Sequence, residues 1–116
     1  MFRLIEQSLL PGSYDIQVAG ELDKAVIDEL RAAIERAAPH DLVLIGLQGC
    51  EFIDSSGIGT IAQAYNERTA NGQRFAVYGA TDQVRRVLSL TGMFDKGVAF
   101  ESLEAAMTET NPEVSE

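Results

Sequence analysis

Apolar and polar positions follow two different periods along this chain, and the periods predict strands and helices in turn. Residues 14–18 read YDIQV, an alternation that predicts a strand with one buried face. The apolar opening at residues 2–9 predicts a second strand, and Pro11-Gly12 predicts a turn between the two. We therefore expect the chain to begin with a β-hairpin.

After this hairpin, helical and strand patterns alternate. Residues 42–47 read LVLIGL, a continuous apolar run that predicts a central strand covered on both faces. Asp23 is a candidate N-cap for the first helix, and Pro39 is expected to stop it. The apolar faces predicted for the first two helices are Val26, Leu30, Ala33, Ile34 and Ala37, and then Ile58, Ile61, Ala62 and Tyr65.

The remaining segments complete the predicted fold. Residues 75–78 and 98–100 predict two further strands, a helix beginning at Thr81-Asp82 lies between them, and Ser102 opens a short last helix. The prediction is an α/β domain with a mixed sheet of four to five strands and about four helices. One domain is expected over residues 1–108, followed by an acidic, frayed tail at 109–116.

Charge and cysteine content narrow the classes of partner and compartment. The 116 residues carry a formal net charge of −9, which disfavours nucleic acid and anionic lipid as ligands. A protein with a basic surface fits better. The N-terminus has charged residues within its apolar run and does not resemble a signal peptide. The single cysteine, Cys50, agrees with a reducing compartment, so a cytoplasmic location is expected.

Residues 52–59, which read FIDSSGIG, carry the most informative chemistry. Ser55 and Ser56 lie between an apolar strand end and a predicted helix. The first turn of a helix has unpaired N–H groups and a positive dipole end, which tolerate a phosphate. Gly57 and Gly59 would let another surface approach closely. The segment therefore suits a phosphorylation switch, although most serines in such positions only cap the helix.

Catalysis by the chain itself is poorly supported. A nucleophilic serine needs a base, usually histidine, and the only histidine is His40. His40 precedes the predicted central strand, whereas Ser55 follows it, so the two should lie at opposite ends and His40 should be a solvated loop residue. One histidine and one cysteine give no metal-ligand cluster, and no cofactor-binding motif is present. The chain is therefore not expected to be an enzyme.

Three segments resemble the STAS family of bacterial anti-sigma factor antagonists. Residues 52–59 resemble the family's Phe-x-Asp-Ser-Ser/Thr-Gly-Leu/Ile-Gly segment, and residues 20–23 (GELD) match the segment that ends its second strand. Residues 91–94 (TGMF) are similar to a late turn of the family. The matches occur in the family's order and spacing, and the resemblance covers nearly the whole chain.

The resemblance implies a role for each residue of the motif. Ser55 would be the phosphorylated serine, Ser56 its helix-capping neighbour, and Asp54 would help to shape the site. Asp23 would lie close by on the surface that faces the partner. The predicted switch and partner-binding set is Asp23, Asp54, Ser56, Gly57, Ile58 and Gly59, with Ser55 as the phosphorylation site.

The resemblance also implies partners. The unphosphorylated protein would bind an anti-sigma factor with serine kinase activity and free the sigma factor, phosphorylation on Ser55 would end binding, and a Ser/Thr phosphatase would reset the switch. Two alternatives stay open. One is a STAS subunit of a membrane lipid-transport ABC assembly, and the other is a signalling scaffold module unconnected with transcription. No direct contact with the membrane is expected.

Two positions depart from the family pattern. Gly46 stands in the central strand where the family usually carries Asp or Asn, and Cys50 stands where an aliphatic residue is more common. Neither is expected to touch the switch. Cys50 is expected to be a packing residue, and the change at Gly46 is expected to weaken the local polar contacts.

Overall fold

The alternating segment at the start of the chain forms the antiparallel edge of a five-stranded sheet. In the computed structural model, which describes residues 1–9 and 12–110, β1 (Arg3–Ser8) pairs antiparallel with β2 (Ser13–Leu22). This confirms the predicted hairpin. Pro11 lies outside the described residues, and its neighbour Gly12 has a φ of +85°, a backbone conformation that glycine adopts without strain.

Three further strands run parallel to β2, and the sheet order is β1-β2-β3-β4-β5. The later strands are β3 (Leu42–Ile53), β4 (Arg74–Tyr78) and β5 (Ala99–Phe100). The helices are α1 (Ile27–Arg36), α2 (Ser55–Ala70), α3 (Asp82–Leu90) and α4 (Leu103–Glu109), and a 3-10 turn (Lys24–Val26) precedes α1. The predicted α/β fold with a mixed sheet and about four helices is confirmed.

The sheet is covered on both faces but unequally. The larger apolar core packs α1, α2 and α3 against one face. On the other face, Ala106 of α4 packs against a smaller cluster from β3 and β4: Leu42, Leu44, Ala76 and Tyr78. Burial on both faces explains why β3 opens with the continuous apolar run seen in the sequence.

The buried face of α2 differs from the predicted one. Its buried residues are Gly57, Thr60, Ile61, Ala64 and Arg68, whereas the predicted Ile58, Ala62 and Tyr65 are only partly buried. Both polar side chains on this face, Thr60 and Arg68, make hydrogen bonds. The Thr60 hydroxyl, for example, donates to the carbonyl of Ser56 at 2.9 Å. Hydrophobic spacing alone could not reveal this face.

Arg68 ties the end of α2 to the start of two strands. Its side chain is 6% exposed. Nε donates to the Arg74 carbonyl at 2.9 Å, and Nη2 donates to the carbonyls of His40 and Asp41. Burial lowers the pKa of the guanidinium, but these three carbonyls compensate for the lost hydration.

Replacing Arg68 with methionine should destabilise the protein by about 2–3 kcal/mol, because hydrogen bonds from a charged donor to buried acceptors are lost. The free energy of unfolding, measured in urea, checks this. Arg86→Met, at an exposed position of α3, is the matched control and should change that free energy by less than about 0.5 kcal/mol. Equal effects of the two substitutions would contradict this role of Arg68.

The last helix ends close to the predicted domain boundary. α4 includes Glu109, the first residue of the predicted tail, and residues 111–116 lie outside the described residues. The division at residue 108 therefore stays a prediction. Within the described ranges, the helices lack the length and apolar character needed to cross a bilayer.

Candidate functional site

The end of the β2–β3 strand pair brings the two most specific sequence segments together. The two strands are parallel and end in register, with Leu22 opposite Ile53. The Asp54 N–H donates to the Leu22 carbonyl at 3.3 Å and holds the two chain segments side by side beyond the last pair. Asp23 and Asp54, each the first residue after its strand, therefore leave the sheet from neighbouring positions.

Both aspartates cap the helical segments that follow them. Oδ1 of Asp54 accepts hydrogen bonds from the N–H groups of Ser56 at 2.9 Å and Gly57 at 3.1 Å. Asp23 accepts from the Ala25 N–H at 3.1 Å and caps the 3-10 turn instead of α1 directly. The expectation that Ser56 caps α2 is wrong, because Asp54 is the N-cap. The backbone N–H groups of Ser56 and Gly57 are already paired with a carboxylate.

Ser55 is the first residue of α2 and is exposed. Its neighbour Ser56 is half-buried. The Ser56 N–H donates to Asp54 and the Ser56 carbonyl accepts from the Thr60 hydroxyl, so both hydrogen bonds hold Ser56 within the first turn. Of the two serines, Ser55 is therefore the more accessible to an enzyme. The structure places the predicted residues of this motif at the N-cap and in the first five residues of α2, at one end of the sheet: Asp54, Ser55, Ser56, Gly57, Ile58 and Gly59.

The two glycines of this turn face different surroundings. A Cβ on Gly57 would lie 2.7 Å from Cγ1 of Ile53 and 2.9 Å from the Leu22 carbonyl oxygen, so glycine lets α2 pack closely on the strand ends. A Cβ on Gly59 would meet nothing within 4 Å, and this position is exposed. Ile58, between them, is partly buried against the core. Gly57 therefore sets the position of the turn, whereas Gly59 leaves bare backbone on its surface.

The two glycines should respond to alanine with opposite signs. Gly57→Ala should lower the free energy of unfolding by about 1–2 kcal/mol, because the new methyl group overlaps the backbone of β2. Gly59→Ala should raise it by about 0.5–1 kcal/mol, because alanine favours a helix over glycine and meets no obstacle here. Urea unfolding of both variants checks this. A stabilising Gly57→Ala would contradict the close packing of this turn.

Several residues at the site carry no signal in the sequence. The side-chain amide of Gln83 on α3 bonds both the N–H and the carbonyl of Ile53 at 3.1 Å and fixes the end of β3. Phe52, at the end of β3, is 39% exposed beside the site. Lys24 and Arg31 line a groove next to Ser55. Only the packing of α1 and α3 against the strand ends brings these residues to the site.

The glycine that departs from the family pattern occupies a crowded polar cluster. A Cβ on Gly46 would lie 2.8 Å from the Tyr78 hydroxyl and 2.9 Å from both Gln17 and Gln48. The Tyr78 hydroxyl donates to the buried Asp15 carboxylate at 2.8 Å, and burial raises the pKa of Tyr78. Neighbouring polar side chains fill the space that glycine leaves, and the effect of this departure on the strength of the polar contacts stays a prediction.

Neither of the two remaining titratable candidates, Cys50 and His40, lies at the start of α2. Cys50 is buried, which raises the pKa of its thiol, and its Sγ donates to the Phe52 carbonyl at 3.4 Å, as expected of a packing residue. His40 lies before β3, at the opposite end from Ser55, but it is half-buried against Tyr14 and not solvated as expected. No cluster of three or more metal-ligating side chains occurs among residues 1–9 and 12–110.

Known proteins share this fold and this sequence pattern. The chain is 28% identical over 108 residues to the anti-sigma F factor antagonist of Paenibacillus polymyxa, an alignment that spans 90% of this chain and 92% of that one. The crystal structure of an anti-sigma factor antagonist from Mycobacterium paratuberculosis superposes with a TM-score of 0.81 at 26% identity, over 95% and 94% of the two chains.

A further structure shows the fold alone. The Bacillus cell fate determinant SpoIIAA in its phosphorylated form superposes with a TM-score of 0.69 at 22% identity, over 92% of this chain and 96% of that one. The sequence model of the STAS domain matches residues 8–106, which include every strand from β2 onward and the whole candidate site. The chain therefore belongs to the STAS domain family, and its relatives include proteins named as anti-sigma factor antagonists.

Proposed function

We propose that this protein is an anti-sigma factor antagonist controlled by phosphorylation of Ser55. In the unmodified state it binds an anti-sigma factor that is also a serine kinase, and the sigma factor is released. The exposed Ser55 at the start of α2, beside Asp23 and Asp54, is the observation that carries this proposal. The names of the similar proteins support the same function.

The modification requires only a hydroxyl from this chain. Oγ of Ser55 attacks the γ-phosphorus of ATP held by the kinase, the new Oγ–P bond forms, and the bond from that phosphorus to ADP breaks. The serine proton passes to a base of the kinase. A Ser/Thr phosphatase reverses the change with water. The protein acts as a substrate and a binding module, and ATP and its metal belong to the kinase.

The surface around Ser55 suits close contact with a partner. Gly59 leaves backbone exposed, and Phe52 presents part of an aromatic ring. A phosphate would add about 1.5 to 2 negative charges there. These charges would lose their hydration when a partner docks, and this desolvation opposes binding. Binding would be lost while the core beneath stays unchanged. The net charge of −9 favours a partner with a basic surface.

Purification of the protein with its bound partners from its native cells, followed by mass spectrometry, tests the proposal. We expect a kinase-like anti-sigma factor with the unmodified protein, and a phosphate on Ser55 in the unbound fraction. A transporter ATPase with unmodified Ser55 would transfer the function to a lipid-transport assembly. Phosphorylated Ser55 with partners unrelated to transcription would favour a signalling scaffold.

A further inference from the structure

A groove between α1 and α2 places two cations opposite the serines. It is lined by Lys24 and Arg31 on one side and by Ser55, Ser56 and Gly59 on the other. Lys24 belongs to the 3-10 turn that Asp23 caps, so the end of β2 sets its position. Arg31 lies on α1. The chain has only 9 basic residues, and two of them line this one groove.

The start of α2 has little capacity left to neutralise a phosphate. The Asp54 carboxylate already accepts from the N–H groups of Ser56 and Gly57 at 2.9 and 3.1 Å. Asp54 thus brings a negative charge to the positive end of the helix. A phosphate on Ser55 would meet this carboxylate instead of open amides. Its charge must be balanced by side chains or left to the solvent.

Both cations are available for this purpose. Arg31 pairs with Asp28 at 3.8 Å, and the two side chains are 55% and 100% exposed, so this ion pair is weak. A phosphate offers the guanidinium bidentate geometry and a larger charge than a carboxylate. Lys24 is exposed, and its long side chain can follow a phosphate. The carboxylate that lines the groove is Asp28, which competes for Arg31. Asp23 and Asp54, the sequence neighbours of Lys24 and Ser55, accept backbone N–H bonds.

We propose that Lys24 and Arg31 bind the phosphate of phosphorylated Ser55 within the same domain and hold it across the groove between α1 and α2. The inference rests on the proposed function for the presence of the phosphate. It adds that side chains of the same domain bind the phosphate group. The phosphate covers the open surface at Gly59 and closes the groove, so the surface changes shape as well as charge.

Phosphorus NMR on protein carrying phosphoserine encoded at position 55 tests this directly. Two cations beside the phosphate favour its dianion, so its second ionisation should occur below the pKa of about 6 expected for a free phosphoserine. Replacing both cations in K24Q/R31Q should raise that pKa by about half a unit, the size expected for exposed ion pairs. The conservative pair K24R/R31K should restore the lower value.

The double variant R86Q/K96Q is the matched control, because it also removes two positive charges, from exposed positions outside this groove. It should leave the phosphate pKa unchanged at moderate salt. Equal phosphate pKa values in the parent phosphoprotein and in folded K24Q/R31Q would overturn the inference. A backbone NMR spectrum of each variant establishes that it is folded.

The titration separates this inference from the proposed function. It needs neither kinase nor anti-sigma factor, since the phosphoserine is introduced during translation. An unshifted pKa would reject the role of Lys24 and Arg31, even if native Ser55 is phosphorylated. A shifted pKa would support the phosphate contact, and an unmodified Ser55 in native protein would then count against the proposed function alone.

Discussion

Replacing Ser55 with aspartate should weaken binding of the proposed anti-sigma factor partner about 100-fold, which corresponds to about 2.7 kcal/mol. The new carboxylate would be placed at the contact surface, where a desolvated or like charge costs several kcal/mol. The fold should be retained, because Ser55 is exposed and its replacement leaves the Asp54 cap of α2 in place. Calorimetric titration measures the affinity, and urea unfolding measures the stability.

Asn66→Asp is the matched control for this loss. It adds the same charge on the same helix at an exposed position about three turns further along. Its affinity should stay within about threefold of the parent protein, because exposed charges beyond a Debye length are screened. Wild-type affinity of Ser55→Asp, or an equal loss in Asn66→Asp, would contradict a local charge mechanism.

Introducing aspartate at Gly46 should destabilise the protein by about 3 kcal/mol or more. The new Cβ would overlap the Tyr78 hydroxyl and the ends of Gln17 and Gln48. The new carboxylate would also be buried close to the cluster that already holds Asp15, which is 1% exposed. The free energy of unfolding at neutral pH checks this.

Gly46→Asn separates the two causes, because asparagine has the shape of aspartate without its charge. It should cost about 1–3 kcal/mol from overpacking alone. Aspartate should therefore be the more destabilising of the two at pH 7, and the difference should shrink in acid as the new carboxylate is protonated. Wild-type stability of Gly46→Asp would show that the cluster rearranges at no cost.

The sequence pattern predicted the elements because it follows their burial: β2 alternates, the helices carry an apolar stripe, and the start of β3, buried on both faces, is continuously apolar. The hairpin, the apolar start of β3 and the helix at Ser102 follow from local pattern, and the Ser102 hydroxyl does accept from the Ala105 N–H at 3.1 Å. The middle of β3, residues 48–51, was not predicted as strand. It alternates irregularly, and its pairing with β2 shifts register between Gln17 and Ala19.

The errors at the candidate site have a common physical origin. The sequence predicted which residues occur at the start of α2 but not which of them caps it, because Asp54, Ser55 and Ser56 are all good N-caps. The choice follows from where β3 ends, and Gln83 of α3 fixes that end by contacts thirty residues away in sequence. The groove with Lys24 arises likewise from the packing of α1 against α2.

The most direct test of the proposed switch is ATP-triggered release of this protein from its anti-sigma factor. The purified complex is mixed with ATP and Mg²⁺, and free protein is followed over time by size-exclusion chromatography and intact mass. We predict that the released protein carries one phosphate on Ser55, and that Ser55→Ala stays bound under the same conditions. Equal release of Ser55→Ala, or release of unmodified protein, would contradict the account.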